Sequence, residues 1–163
     1  MTGLPKRKPN RLKGYDYGQS GAYFITICTK DHVRTLCKGD FPQQYSERGS
    51  RPRFELTPLG KCVEESISRQ NRDNSKIDRY VIMPNHIHVI ITIAIEKGGQ
   101  KQPTAHQVVR NIKSYTSKWA GFSPWQKSFH DHIIRNEQDY LRIAEYIENN
   151  PVIWESDCFY TDQ

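Results

Sequence analysis

Apolar and polar positions alternate through Tyr80-Val-Ile-Met-Pro-Asn-His-Ile-His-Val-Ile-Ile-Thr-Ile93 so as to give a strand two unlike faces. The odd positions Ile87, Val89, Ile91 and Ile93 are all apolar and read as a core face. The even positions His86, His88, Ile90 and Thr92 form a mixed face that can border a polar site. Tyr80 to Met83 reads as one strand, and Pro84-Asn85 is turn chemistry. The pattern therefore predicts a hairpin with His86 and His88 at the start of the return strand. Gly21-Ala-Tyr-Phe-Ile-Thr-Ile-Cys-Thr29, rich in β-formers, predicts an earlier strand, and Trp125 to Arg135, which alternates weakly, a later one.

Three segments switch to helical spacing. Thr57-Pro58 supplies an N-cap and a first-turn proline ahead of the stripe Leu59, Cys62, Val63 and Ile67. Thr104-Ala-His-Gln107 has capping-box form before Val108, Ile112, Tyr115 and Trp119. Asn136 opens a third helix carrying Leu141, Ile143, Tyr146 and Ile147, and Pro151 forces its end. Residues 39–53 are polar, with glycines and prolines, and read as a surface excursion. The order strand, helix, hairpin, helix, strand, helix predicts an α+β domain, an antiparallel sheet with helices packed on it.

With 163 residues, the chain suits one domain with a real core. Its net charge of +6 is unevenly placed. Lys6, Arg7, Lys8, Arg11 and Lys13 crowd an N-terminal arm (residues 1–20), and Arg110 and Lys113 add to the excess later. An anionic polymer, nucleic acid before a membrane surface, is the partner such a balance favours. The cysteines Cys28, Cys37, Cys62 and Cys158 lack CxxC spacing, which argues against a zinc site; Cys28 and Cys62 read as buried hydrophobes. No apolar run reaches membrane-span length and no leader pattern opens the chain, so a reduced, cytoplasmic protein is expected.

The chemistry lies in two places. His86 and His88 point to one side of a strand and can grip one ion from rigid backbone, leaving positions open for a substrate oxygen. Tyr146 and Asn150 share a face of the last helix. A tyrosine hydroxyl can attack phosphorus, and an amide oxygen can complete a hard-cation site. His130-Asp131-His132 has the same i, i+2 spacing and is a rival metal pair that composition and spacing leave open. Tyr15, Tyr17, Trp119 and Trp125 are candidate stacking aromatics for single-stranded nucleic acid.

Met83-Pro-Asn-His-Ile-His-Val89, Trp125-Gln126, His130-Asp-His-Ile-Ile-Arg-Asn136 and Tyr146-Ile-x-x-Asn-Pro151, in this order, resemble the single-tyrosine HUH transposases, more narrowly the REP-associated tyrosine transposases and their insertion-sequence-type relatives. Arg11-Leu-Lys-Gly-Tyr-Asp-Tyr17 and the strand from Gly21 also fit, so the resemblance spans roughly residues 11–155. It implies a ferredoxin-like or RRM-like catalytic domain over 21–155, with a short tail at 156–163, that acts on single-stranded DNA, often beside a hairpin, as a monomer or homodimer. His86 and His88 match the HUH pair and would hold Mg²⁺ or Mn²⁺; Tyr146 matches the nucleophile that forms a 5′-phosphotyrosine; Asn150 matches a helix-borne third ligand. The resemblance favours 86/88 over 130/132 and makes His132 a supporting residue. A non-catalytic single-stranded nucleic-acid-binding module and a metal-dependent phosphoesterase are the competing readings.

Overall fold

In the computed structural model, which describes residues 15–17, 19–39, 54–94 and 103–161, the chain is organised around a four-stranded antiparallel sheet. In chain order the elements are β1 (Gly21–Cys28), β2 (Cys37–Lys38), β3 (Glu55–Leu56), α1 (Pro58–Ser68), β4 (Ser75–Ile82), β5 (His86–Ile93), α2 (Ala105–Ala120), β6 (His130–Ile134) and α3 (Glu137–Asn149). Across the main sheet the order is β4-β5-β1-β6, and β2 pairs with β3 in a separate small ribbon. Counting only the strands of the main sheet, the second, third, first and fourth lie side by side, and helices follow the first and third. This is the ferredoxin-like βαββαβ arrangement, with α3 added after the last strand.

The two faces of β5 behave as their parity requires. Ile87, Val89, Ile91 and Ile93 pack with Tyr23, Ile25 and Ile27 of β1 and with Val63 and Ile67 of α1 and Val108, Val109 and Ile112 of α2. Burying each such side chain is worth roughly 1.5–3 kcal/mol, so this face dictates how the strand sits. On the opposite face Ile90 meets Ile143, Ala144 and Ile147 of α3, with Ala22, Phe24, Val81 and Ile134 around them. The sheet is thus sandwiched between the α1/α2 pair and α3, and both histidines are on the α3 side.

The helix ends follow the capping signals. Thr57 accepts from Gly60 N at 3.0 Å with Pro58 in the first turn. Thr104 and Gln107 form a reciprocal capping box, and Gly121 closes α2 in the left-handed region with φ 77°. Asn136 accepts from Asp139 N at 2.8 Å to start α3. No helix among the described residues is long and apolar enough to cross a membrane.

Three expectations shift. The strand expected over 125–135 begins only at His130. Before it, Trp125 makes a single bridge to Thr29 and its Nε1 donates to Thr116 at 2.7 Å, while Lys113 Nζ donates to the carbonyls of Gln126 and Ser128 at 2.8 and 3.0 Å. Around Trp125 the backbone still pairs with the end of β1, Lys30 N donating to Pro124 O at 2.7 Å and Gln126 N to Cys28 O at 3.0 Å, but Lys113 of α2 takes the next carbonyls and the ladder lapses until His130. Second, Tyr115 and Trp119 are not core: the buried stripe of α2 is Ala105, Val108, Val109, Ile112 and Thr116, and Trp119 is 55% exposed. Third, β2 and β3, either side of the polar excursion, carry no alternation long enough to be read from sequence. The excursion from 40 to 53 lies outside the described residues.

Gly60 is where α1 meets the chain that supports the β4–β5 turn. A Cβ there would collide with the carbonyl oxygen of Leu36, whose own N–H donates to Pro84 O at 3.0 Å. Gly60→Ala is therefore expected to lower stability by about 1–3 kcal/mol, the usual cost of overpacking against backbone, read as an earlier midpoint in urea unfolding. A second prediction concerns how α3 is pinned. Asp139 bonds Arg142 at 2.6 Å and His132 of β6 at 2.8 Å. These partners, Arg142 foremost, hold its carboxyl down at about 2, below about 3.9 in an unfolded chain. A depressed carboxyl stabilises the fold above the unfolded value and loses that contribution as pH falls through the folded one. Asp139→Asn should destabilise at pH 5, and its effect should shrink steadily as the pH falls towards 2, measured by denaturant unfolding across that window.

Candidate active site

His86 and His88 are fully buried on the α3 side of β5, each fixed by its outer ring nitrogen. His86 Nδ1 lies 2.9 Å from Asn85 Oδ1. Because Asn85 Nδ2 donates to the carbonyls of His32 at 3.1 Å and Phe159 at 2.8 Å, its oxygen is the end that faces His86. His86 therefore carries its proton on Nδ1 and presents a lone pair at Nε2. His88 Nδ1 lies 2.8 Å from Thr26 Oγ1 on β1, where the register pairs Thr26 with His88. The two Nε2 atoms meet 3.0 Å apart.

The turn that delivers His86 is itself clamped. Thr29 N donates to Asn85 O at 2.8 Å, and Thr35 N and Leu36 N both donate to Pro84 O. The intervening Lys30–His32 turn holds Asp31 at φ 56° and His32 at φ 55°. Two successive non-glycine residues in the left-handed region cost on the order of 1–2 kcal/mol each. The surrounding bonds, including Asn85 Nδ2 to His32 O, maintain them.

α3 brings Tyr146 and Asn150 to the same place. The Tyr146 hydroxyl is 3.4 Å from His88 Nε2 and donates to Asp157 Oδ2 at 2.8 Å. Its ring packs at 5.2 Å from His88 and edge-on to Phe24 at 6.2 Å. Asn150 is fully buried; its Nδ2 donates to Asp157 Oδ2 at 2.8 Å, and its Oδ1 is buried without a hydrogen-bond partner. Beyond α3 the chain folds back across the site. Trp154 is buried against His86, and Phe159 lies 4.8 Å from His86 and 5.9 Å from His88.

Burial governs the electrostatics. It lowers His86 to about 4, with the Asp157 charge and the Asn150 side chain pulling partly back. Burial, then the neighbouring His86, takes His88 well below the usual imidazole range. Both rings are thus neutral near pH 7, the form that binds metals. Burial raises Tyr146, and its bond to Asp157 and that carboxylate's charge raise it further, so the hydroxyl is a neutral phenol. These groups suit a divalent ion. Ligand atoms of His86, His88 and Asp157 all lie within 4.8 Å of one another. The 3.0 Å between the Nε2 atoms is close to that of two adjacent donors each about 2.1 Å from one cation. The unused Asn150 oxygen is a further acceptor.

Four residues singled out from the sequence, His86, His88, Tyr146 and Asn150, therefore come together. In the rival His130-Asp131-His132 set the pleat turns Asp131 to the face opposite the two histidines. His132 is turned to Asp139, and Asp131 faces His106 of α2 at 3.7 Å on the far side of the sheet. Arg110 is exposed on α2, across the sheet from the histidines, and Lys113 is engaged by the 126–128 carbonyls. Lys6, Arg7, Lys8, Arg11 and Lys13 lie outside the described residues. Sequence reasoning missed Asp157, Thr26 and Asn85 as partners of the site. Asn85 sits beside His86 in the motif itself, but nothing local to residues 156–163 marks Asp157, because it arrives through the reversal after Pro151.

No protein-family model matches the chain. It is 34% identical over 184 residues to an uncharacterised protein of Haemophilus influenzae, covering 99% of this chain and 97% of that one. It is 30% identical over 98 residues to a REP-associated tyrosine transposase of Escherichia coli, covering 60% of this chain and 57% of the relative, so that match spans just over half of its length. Among solved structures it resembles a REP-associated tyrosine transposase bound to a REP hairpin, with a TM-score of 0.59 and 26% identity over 87% of this chain and 73% of the other. In sequence and in fold alike, the chain is similar to the REP-associated tyrosine transposases.

Proposed function

We propose that the protein cleaves and rejoins single-stranded DNA by covalent catalysis at Tyr146, with His86 and His88 holding Mg²⁺ or Mn²⁺ at the scissile phosphate. The observation that carries this reading is the Tyr146 hydroxyl 3.4 Å from His88 Nε2, itself 3.0 Å from His86 Nε2. A nucleophile and a chelating pair thus converge on one point from a helix and a strand. Asn150 Oδ1 and the Asp157 carboxylate are the available third ligands. When bound, the ion supplies positive charge against the phosphate oxygens, where charge builds up in the transition state.

Tyr146 enters as a phenol bonded to Asp157, so attack requires its proton to leave. As the tyrosine oxygen bonds to phosphorus, the proton passes to Asp157 Oδ2, already its acceptor at 2.8 Å. The bond between phosphorus and the 3′ oxygen breaks, and that oxygen takes up the proton. The products are a 5′-phosphotyrosine and a free 3′-hydroxyl. In reverse, a 3′-hydroxyl attacks the phosphotyrosine and rejoins a strand, so the bond energy is conserved and no nucleotide is consumed. Thr26 and Asn85 keep both imidazoles oriented throughout, and burial under α3 limits water as a competing nucleophile.

The DNA substrate is taken to be a single strand beside a hairpin, because the solved relative is bound to a REP hairpin. The net charge of +6 supports an anionic partner. Lys6, Arg7, Lys8, Arg11 and Lys13 are proposed, with Arg110, as its backbone contacts.

Incubation with labelled stem-loop DNA and Mn²⁺ should give an adduct that survives denaturation. Tyr146→Phe is expected to reduce it about 10³-fold or more, as removal of a nucleophile does; an undiminished adduct would rule Tyr146 out. Hydrolysis without any adduct would favour the phosphoesterase instead. Asn85→Ala, which frees the His86 ring, should weaken Mn²⁺ binding about 10–100-fold by the usual effect of an outer partner. Electron paramagnetic resonance titration of free Mn²⁺ measures this directly.

A further inference from the structure

Beside the Asn85 turn, but outside the histidine cluster, lies a cavity of about 640 Å³ between the 29–35 loop and the 122–127 segment. Its walls include Lys30, Val33, Phe122, Pro124 and Lys127. Phe122 is 61% exposed and Val33 49% exposed, both large apolar side chains in water. Thr35, also on the wall, has its Oγ1 buried with no hydrogen-bond partner. Lys30 and Lys127 are exposed at the rim, and Trp119, 55% exposed, precedes Phe122 by one turn of chain.

We propose that this cavity is a base-binding subsite, holding one unpaired nucleobase of the same DNA strand whose phosphate is presented to Tyr146. The inference rests on the strand-transfer reading for the identity of the polymer. Its chemistry is that of single-strand recognition, an aromatic face for the base flanked by cations for the phosphodiester on either side. The volume falls in the range of small-ligand sites and accommodates a nucleobase with its sugar. Phe122 stacks on the base, and Lys30 and Lys127 meet the backbone. Continuity with the site is direct. Thr29, on the wall, donates its N–H to Asn85 O, and Asn85 orients His86. Asp31, held at φ 56°, lies on this same wall, and strained backbone held by its surroundings is characteristic of ligand-binding loops.

Of the four aromatics suggested by the sequence for stacking, Tyr17 and Trp125 are buried, and Trp125 forms part of the cavity floor instead of a platform. Phe122, which follows the helix-ending Gly121, takes that place.

The test uses the full-length protein in EDTA and a fluorescent DNA stem-loop carrying an oligo-dT tail on its 5′ or 3′ side, scanned with single abasic positions. The wild type should lose affinity at one tail position, and Phe122→Ala should bind the intact tail about ten-fold more weakly. Phe122→Ala should be indifferent to the abasic substitution at that position. Lys30→Ala and Lys127→Ala should each reduce the slope of log affinity against log salt by about 0.7. Phe122→Ala binding as tightly as wild type, or losing further affinity at every abasic position the wild type senses, overturns the proposal. Adduct formation by the wild type is measured separately with Mn²⁺. An adduct without coupling at Phe122 removes only the subsite, whereas coupling without an adduct removes only the strand-transfer reading.

Discussion

The pairing of β5 with β1 in a single register is the constraint on which the rest of the molecule depends. Gly21 to Cys28 runs against Ile93 to His86, and every second residue of β5 is locked into the α1/α2 core. A slip of one residue would turn Ile87 and Val89 outward and the histidines into the hydrocarbon of the core. The apolar face therefore does more than stabilise the sheet. It fixes the direction of two imidazoles on the other side, and Thr26, opposite His88, becomes a positioning partner by the same register.

Against that rigid platform the remaining groups are assembled by contacts between parts of the chain far apart in sequence. Asn85 joins His86 to the carbonyls of His32 and Phe159. Asp157 joins Tyr146 to Asn150. Each hub is a buried polar side chain whose hydrogen-bonding groups are engaged from several directions, and such networks specify one geometry because every alternative leaves a buried group unsatisfied. The unengaged Asn150 oxygen stands out against this background.

Electrostatically the site keeps its histidines uncharged, the form in which they could hold a metal ion. Burial favours neutral imidazole and neutral phenol, so under the proposed function the positive charge facing a phosphate would come from a bound ion or from the basic surface. The same logic separates the site from the neighbouring cavity. The former is enclosed, polar and close to His88; the latter is open and apolar, with lysines only at its rim.

Much of this was already legible along the chain. Alternation over 86–93 identified the two faces of β5, Thr57, Thr104 and Asn136 marked the helix starts, and the four-residue spacing put Tyr146 and Asn150 on one face of α3. Those are local properties, governed by the period of the backbone and by the chemistry of its end groups. Where local signals stop, so did the reading. The strand expected from Trp125 is displaced to His130 because Lys113, on another element, takes up the carbonyls in between. Trp119 had the spacing of a core residue but lies exposed at the end of its helix. The choice between His86/His88 and His130/His132 could not be made by spacing, since both have it. What lies over each strand differs: α3 and the returning segment bring Tyr146 and Asp157 to the first pair, whereas Asp139 bonds His132. Local pattern was enough for the long strands β1, β4 and β5, the three helices and the faces they present. Which polar groups meet was settled by the folded chain, because a hydrogen bond between residues 11 to 74 positions apart depends on chain reversals that no local pattern encodes.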